Sequence, residues 1–181
     1  MTTTDTANLV RYLDIFPAWL RTLGEDAGAL GGVVSADGNE DVKRYVTSGL
    51  NYIFKSLDLI PDGIDDLGFC DDAFVIRVAA SLAVEAHPES KDGIVGRLAD
   101  DARAVEDFLG DDYARLVTYV KGLRKGAARG RTVEDIITDV SARTSFVHEV
   151  AAWSQEYQVP SFTRDVKTLI KLKAFLSAKL A

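Results

Sequence analysis

The sequence predicts an all-α fold: one single-domain bundle of about seven or eight helices, spanning residues 1–181, around a buried central helix near 72–86. Three observations carry this. Apolar residues recur every three or four positions along most of the chain, β-type alternation persists nowhere, and Ala73–Val84 is apolar at almost every position. A chain of 181 residues, 47% hydrophobic and 27% charged, suits one globular domain that buries roughly 70% of its unfolded surface without disulfides.

Taken in order, Thr6 to about Leu23 sets Leu9, Leu13, Phe16 and Leu20 on one side of a helix, with Pro17 kinking or dividing it. Gly24–Asp37, holding Gly24, Gly28, Gly31 and Gly32, reads as a loop or a weak helix. Asp37 followed by Glu40 resembles a helix start. From Asp41 to Leu57, Val42, Tyr45, Val46, Leu50, Ile53, Phe54 and Leu57 share one face, opposite Arg44, Thr47, Ser48, Asn51 and Lys55. In the central helix the polar exceptions Arg77, Ser81 and Glu85 stand four apart and leave one narrow polar stripe. His87-Pro88 ends it, because the residue before proline disfavours helical backbone.

Val95, Leu98, Ala102, Val105 and Leu109 then mark an amphipathic helix, and Asp111 caps another that turns Leu116, Val117, Val120 and Leu123 inward. Thr132 with Asp135 forms a capping box, opening a long helix through Ile136, Ile137, Val140, Val147, Val150 and Trp153. Pro160-Ser161 starts a last helix that runs to the C-terminus.

The net charge of −7 argues against sequence-independent nucleic-acid binding, which needs a positive footprint. The charge is segregated: residues 1–120 carry −12, residues 121–131 carry +5, and residues 161–181 carry +4. One cysteine cannot make an internal disulfide, which fits a reducing, cytoplasmic location. The start MTTTDTANLV lacks a signal-peptide pattern, and the longest uncharged apolar run, Val78–Val84, falls short of the ~18–20 residues needed to span a bilayer.

Chemistry concentrates in residues 58–72, DLIPDGIDDLGFCDD, where Asp58, Asp62, Asp65, Asp66, Asp71 and Asp72 gather without one basic residue. Such carboxylates can hold Ca²⁺ or Mg²⁺, or raise one another's pKa. The spacing is not that of an EF-hand. Local roles compete with that reading: Asp58 closing a turn before Ile60-Pro61, Asp71 as N-cap of the central helix, Asp72 complementing its dipole, and Gly63 and Gly68 allowing sharp turns. With Asp58 and Asp71 assigned to those roles, functional interest narrows to Asp62, Asp65, Asp66 and Asp72.

Cys70, beside Asp66, Asp71 and Asp72, reads as an inert thiol. His87 and His148 form no zinc or di-iron ligand pattern. Lys121, Arg124, Lys125, Arg129 and Arg131 form a basic run that could take up phosphate groups, although its glycine spacing is not that of a P-loop. The competing reading is a helix end followed by a solvated loop.

The stretch YIFKSLDLIPDGIDDLGFCDDAFVI resembles the signature of the YkvA family, a bacterial helical domain of unknown function. The matching positions are Tyr52, Asp58, Leu59, Ile60, Pro61, Asp62, Leu67, Gly68, Phe69, Asp71 and Asp72, within about residues 43–86. The resemblance implies a structural helical hairpin and supplies no reaction. Relatives commonly carry a proline where this chain has Ser56-Leu57-Asp58, and an apolar turn where it has Asp65-Asp66. Those charges disfavour the membrane association that the apolar turn of relatives implies.

The expectation is a non-catalytic, cytoplasmic interaction or scaffold protein with a protein partner or a second copy of itself, and no cofactor. Two alternatives stand beside it. One is a divalent-cation-binding protein or metal-dependent hydrolase that uses the acidic turn. The other is a peripheral membrane protein, anchored through residues 164–180, where Arg164, Lys167 and Lys171 flank a wide apolar arc.

Overall fold

Apolar spacing translates directly into helices. In the computed structural model, which describes residues 3–55 and 58–181, these are α1 (Thr3–Val10), α2 (Tyr12–Ser35), α3 (Glu40–Ile53), α4 (Cys70–Ala86), α5 (Gly93–Leu109), α6 (Asp112–Gly122), α7 (Val133–Thr138), α8 (Val140–Glu156) and α9 (Val166–Leu180). Arg11, between α1 and α2, itself has helical backbone angles (φ −59°, ψ −32°), so the two run on as one interrupted element. None of the described helices is long and apolar enough to cross a membrane.

α4 is the centre of the bundle, as its composition predicts. It packs chiefly on α3 and α5, with α6 and α2 closing the remaining sides. Phe74 on α4 meets Phe16 of α2 edge-on at 4.9 Å, and Phe16 meets Phe108 of α5 at the same distance. The α3–α4 approach is close enough that a Cβ on Gly49 would stand 3.0 Å from the Ala79 methyl. That contact brings the end of α3, with Tyr52, beside the start of α4.

Several boundaries depart from the sequence reading. The glycine-rich stretch is neither loop nor weak helix: it is the second half of α2, and the helix is interrupted at Arg11 rather than Pro17. Gly24, Gly28 and Gly31 face α8, while Gly32 is exposed. A Cβ at Gly24 would meet the Ser154 carbonyl oxygen at 2.9 Å, one at Gly28 the Ser154 hydroxyl at 3.0 Å, and one at Gly31 the Val150 side chain at 3.3 Å. Low intrinsic propensity is thus overridden by close helix packing.

α3 is capped by Asn39 rather than Asp37, through a 3.1 Å bond from the Val42 N–H. It closes at Ile53, while Ser56 and Leu57 lie outside the described residues. Asp111 precedes α6 without making a side-chain cap bond. The Thr132–Asp135 capping box forms as predicted, but the long helix divides at Asp139, which caps α8 by accepting from the Ser141 N–H. The last helix starts at Val166, with Asp165 as its cap, rather than at Pro160-Ser161. A two-residue antiparallel pair, β1 (Ala127–Ala128) and β2 (Arg131–Thr132), is too short to leave an alternation in the sequence.

α9 turns Leu169, Leu172 and Leu176 into the core against α6, α1 and α2, and leaves Ile170 exposed.

Candidate metal centre

The acidic turn is built by backbone crossing itself. After α3 the chain folds through consecutive short turns: Ile64 N–H to Pro61 O (3.1 Å), Gly68 N–H to Ile64 O (3.0 Å) and Cys70 N–H to Leu67 O (3.2 Å). Leu59, Ile60 and Leu67 anchor it in the core. At Gly68 an added Cβ would stand 2.3 Å from the Asp62 carbonyl oxygen. Only glycine allows that approach, and it folds Asp62 back toward the first turn of α4. Gly63 meets no such neighbour.

One carboxylate oxygen from each of Asp62, Asp71 and Asp72 lies within 4.8 Å of the other two. Asp71 and Asp72 are fully buried (0% and 1% exposed). Asp71 is not the N-cap of α4. That position falls to Phe69, which makes no side-chain cap bond. Instead Asp71 Oδ2 accepts from the Tyr52 hydroxyl (2.5 Å) and the Ile60 N–H (3.2 Å), while the Leu59 N–H donates to the Tyr52 oxygen (2.7 Å). Among the described residues, Asp71 Oδ1, Asp72 Oδ2 and Asp58 Oδ1 are buried with no hydrogen-bond partner. Asp58 does not close the expected turn, since the Ile60 N–H it would accept from donates to Asp71 instead.

Burial of anionic groups against one another has a large electrostatic effect. Burial, then the charges of Asp71 and Asp62, pushes the Asp58 carboxyl up to about 7 despite the opposing pull of Lys55. Burial and Asp71 push Asp62 up to about 6; its outer side is exposed, so its place in the cluster rests on geometry first. Asp72 is driven well above the usual carboxylate range by burial and then by Asp71, Asp62 and Asp58. Asp71 is raised by burial, opposed by the Tyr52 and Ile60 hydrogen bonds. Burial and the neighbouring aspartates also push the Cys70 thiol up, so it stays protonated.

The other two aspartates leave the cluster. Asp65 is exposed. Asp66, at a positive φ of 67°, accepts from the Thr163 N–H and hydroxyl, both at 2.8 Å. The site therefore comprises Asp62, Asp71 and Asp72 with Asp58 at its edge and Tyr52 behind it. Tyr52 stood in the motif, but the sequence carried no signal of its role, because a bond across nineteen residues depends on how α3 and α4 pack.

The basic run is dispersed. Arg124 lies over the Tyr45 ring (5.1 Å), Arg129 over Phe54 (4.4 Å), and Arg131 pairs with Glu149 beside Phe146. Lys121 and Lys125 are exposed. In comparisons with protein-family models, curated proteins and solved structures, the chain has no match.

Proposed function

We propose that the protein binds a hard divalent cation, Ca²⁺ or Mg²⁺, through Asp62, Asp71 and Asp72, with Asp58 completing the negative shell. The observation that carries this reading is the convergence of three carboxylate oxygens within 4.8 Å, two of them on fully buried residues that keep orphaned oxygens. Oxygens on opposite sides of Ca²⁺ stand up to about 5 Å apart, and around Mg²⁺ up to about 4.2 Å. Separations that do not exceed 4.8 Å are compatible with either ion. Tyr52 and the Ile60 N–H hold Asp71 in orientation by hydrogen bonds, as a ligating carboxylate requires.

This reading takes precedence over a scaffold without ligand, because buried carboxylates are costly unless a cation or protons neutralise them, and convergent oxygens offer a cation its ligands. Binding rather than hydrolysis is the reading, since the groove of about 900 Å³ lined by Leu9, Tyr12, Phe108, Leu169 and their neighbours does not include the cluster. The test is calorimetric titration of chelator-treated protein, paired with thermal melts. Cation at a hundred times its Kd adds about 2.7 kcal/mol, a rise in Tm on the order of 5–10 °C for a domain of this size. Absence of both heat and melting shift with either ion at millimolar concentration would remove the proposal.

A further inference from the structure

We infer that cation occupancy controls the docking of the arm Tyr157–Asp165, which joins α8 to α9, onto the outer side of the acidic turn. The inference rests on the cation reading above and adds a consequence for a distant segment. Asp62 and Asp71, two members of the cluster, bracket the short loop that carries Asp66 and Phe69. That loop is the seat of the arm. Asp66 holds Thr163 through two 2.8 Å bonds, and the Phe69 ring lies 5.4 Å from Tyr157 and 6.2 Å from Trp153. Tyr157 in turn donates to the Leu20 carbonyl (2.6 Å), and Arg164 pairs with Asp14, so the arm bridges the turn to α2.

Both seat residues have left-handed backbone, φ 67° at Asp66 and φ 65° at Phe69. For a bulky aromatic residue that conformation persists only when its surroundings impose it. A cation clasping Asp62 to Asp71 and Asp72 imposes the loop closure from inside, and the arm imposes it from outside. Without the cation, nothing ties Asp62 to Asp71 and Asp72 from inside, the two residues relax, and the arm loses its seat. The two contacts are thus linked through one bistable loop, and each reinforces the other.

Hydrogen exchange at the Tyr157–Asp165 amides, with chelator or with saturating Ca²⁺ or Mg²⁺, tests this alongside calorimetric titration. The expected result is slowing on the order of tenfold at Thr163 and its neighbours when cation binds. Asp66→Gly, which keeps the left-handed backbone and removes the acceptor, should bind cation within about twofold of the parent and lose that protection. Calorimetric binding with unchanged exchange in the parent protein overturns the coupling and leaves the cation site standing. No binding at all overturns both. The comparison within the parent protein decides the matter even where the variant fails to fold.

Discussion

At its first turn α4 buries Asp71 and Asp72; about one and a half turns later it buries Arg77 just as completely. The surroundings differ. Arg77 lies 4.1 Å over the Trp19 ring, 3.2 Å from Asp101 and 3.6 Å from Asp26, and it donates to the Ala73 carbonyl. Asp26, only 2% exposed, also takes Arg97 at 2.5 Å and the Thr22 hydroxyl. Burial lowers Arg77 to about 10 against the pull of Asp101 and Asp26, so it stays charged at neutral pH. The fold supplies Arg77 with its counter-charges. Around Asp71 and Asp72 it supplies further carboxylates and the hydrogen bonds that orient them. One region holds its counter-charges within the fold, even though Arg77 Nη2 makes no hydrogen bond; the other calls for a cation or protons from solution.

The largest effect should come from breaking the Arg77 region. Asp26→Ala leaves Arg77 without a buried partner and is expected to destabilise by about 3–5 kcal/mol, measured by urea unfolding, equally with chelator and with cation. A cation-dependent loss would mean that the two regions are not independent. Next is Asp72→Asn. Burial already holds Asp72 protonated in the cation-free protein, so asparagine is a close substitute and melting temperature should hold under chelator, while the gain on adding cation, about 2–3 kcal/mol at saturation, disappears. A variant that keeps the full cation-linked shift would exclude Asp72 as a ligand.

Tyr52→Phe removes the hydroxyl that orients Asp71 and satisfies the Leu59 N–H. Cation affinity should fall about tenfold and stability by about 1–3 kcal/mol, read by calorimetry and urea unfolding respectively. Arg97→Gln removes a half-exposed contributor to the Arg77 region and should cost at most about 1 kcal/mol by the same unfolding measurement.

The smallest effect is a pH dependence. Asp58 and Asp62 have folded-state values raised to about 7 and about 6 from an ordinary 3.8. Between these limits the folded protein holds more protons than the unfolded chain, so stability falls with rising pH. Their contribution is full below about pH 4 and is lost as pH passes through 6 to 7. Under chelator, Asp58→Asn should therefore show a shallower decline in melting temperature from pH 4 to 8 than the parent. Saturating cation should remove the difference. An identical slope would place Asp58 outside the cluster's electrostatics.

Much of the fold was readable from local pattern. The nearly continuous apolar run of α4 announced the central helix, and Thr132 with Asp135 announced a capping box that forms. The glycines of α2 misled because their purpose lies on α8, more than a hundred residues away. The break at Asp139 left no proline or glycine to mark it. Arg77 appeared as part of a polar stripe, and nothing in its neighbourhood in sequence indicated that Asp26 and Asp101 would enclose it.

For the acidic turn the division is sharper. By itself the sequence determined that six aspartates share a fifteen-residue segment between two apolar helices, because composition and period are local properties. Which of them meet was decided only in three dimensions. The glycine crossing at Gly68 folds Asp62 inward, α3 presents Tyr52 to Asp71, and Asp66 turns out to Thr163. Asp71, which local spacing assigned to a helix cap, became a buried member of the cluster. Electrostatic character depends on distance and burial, and both are set by contacts between segments far apart in the chain.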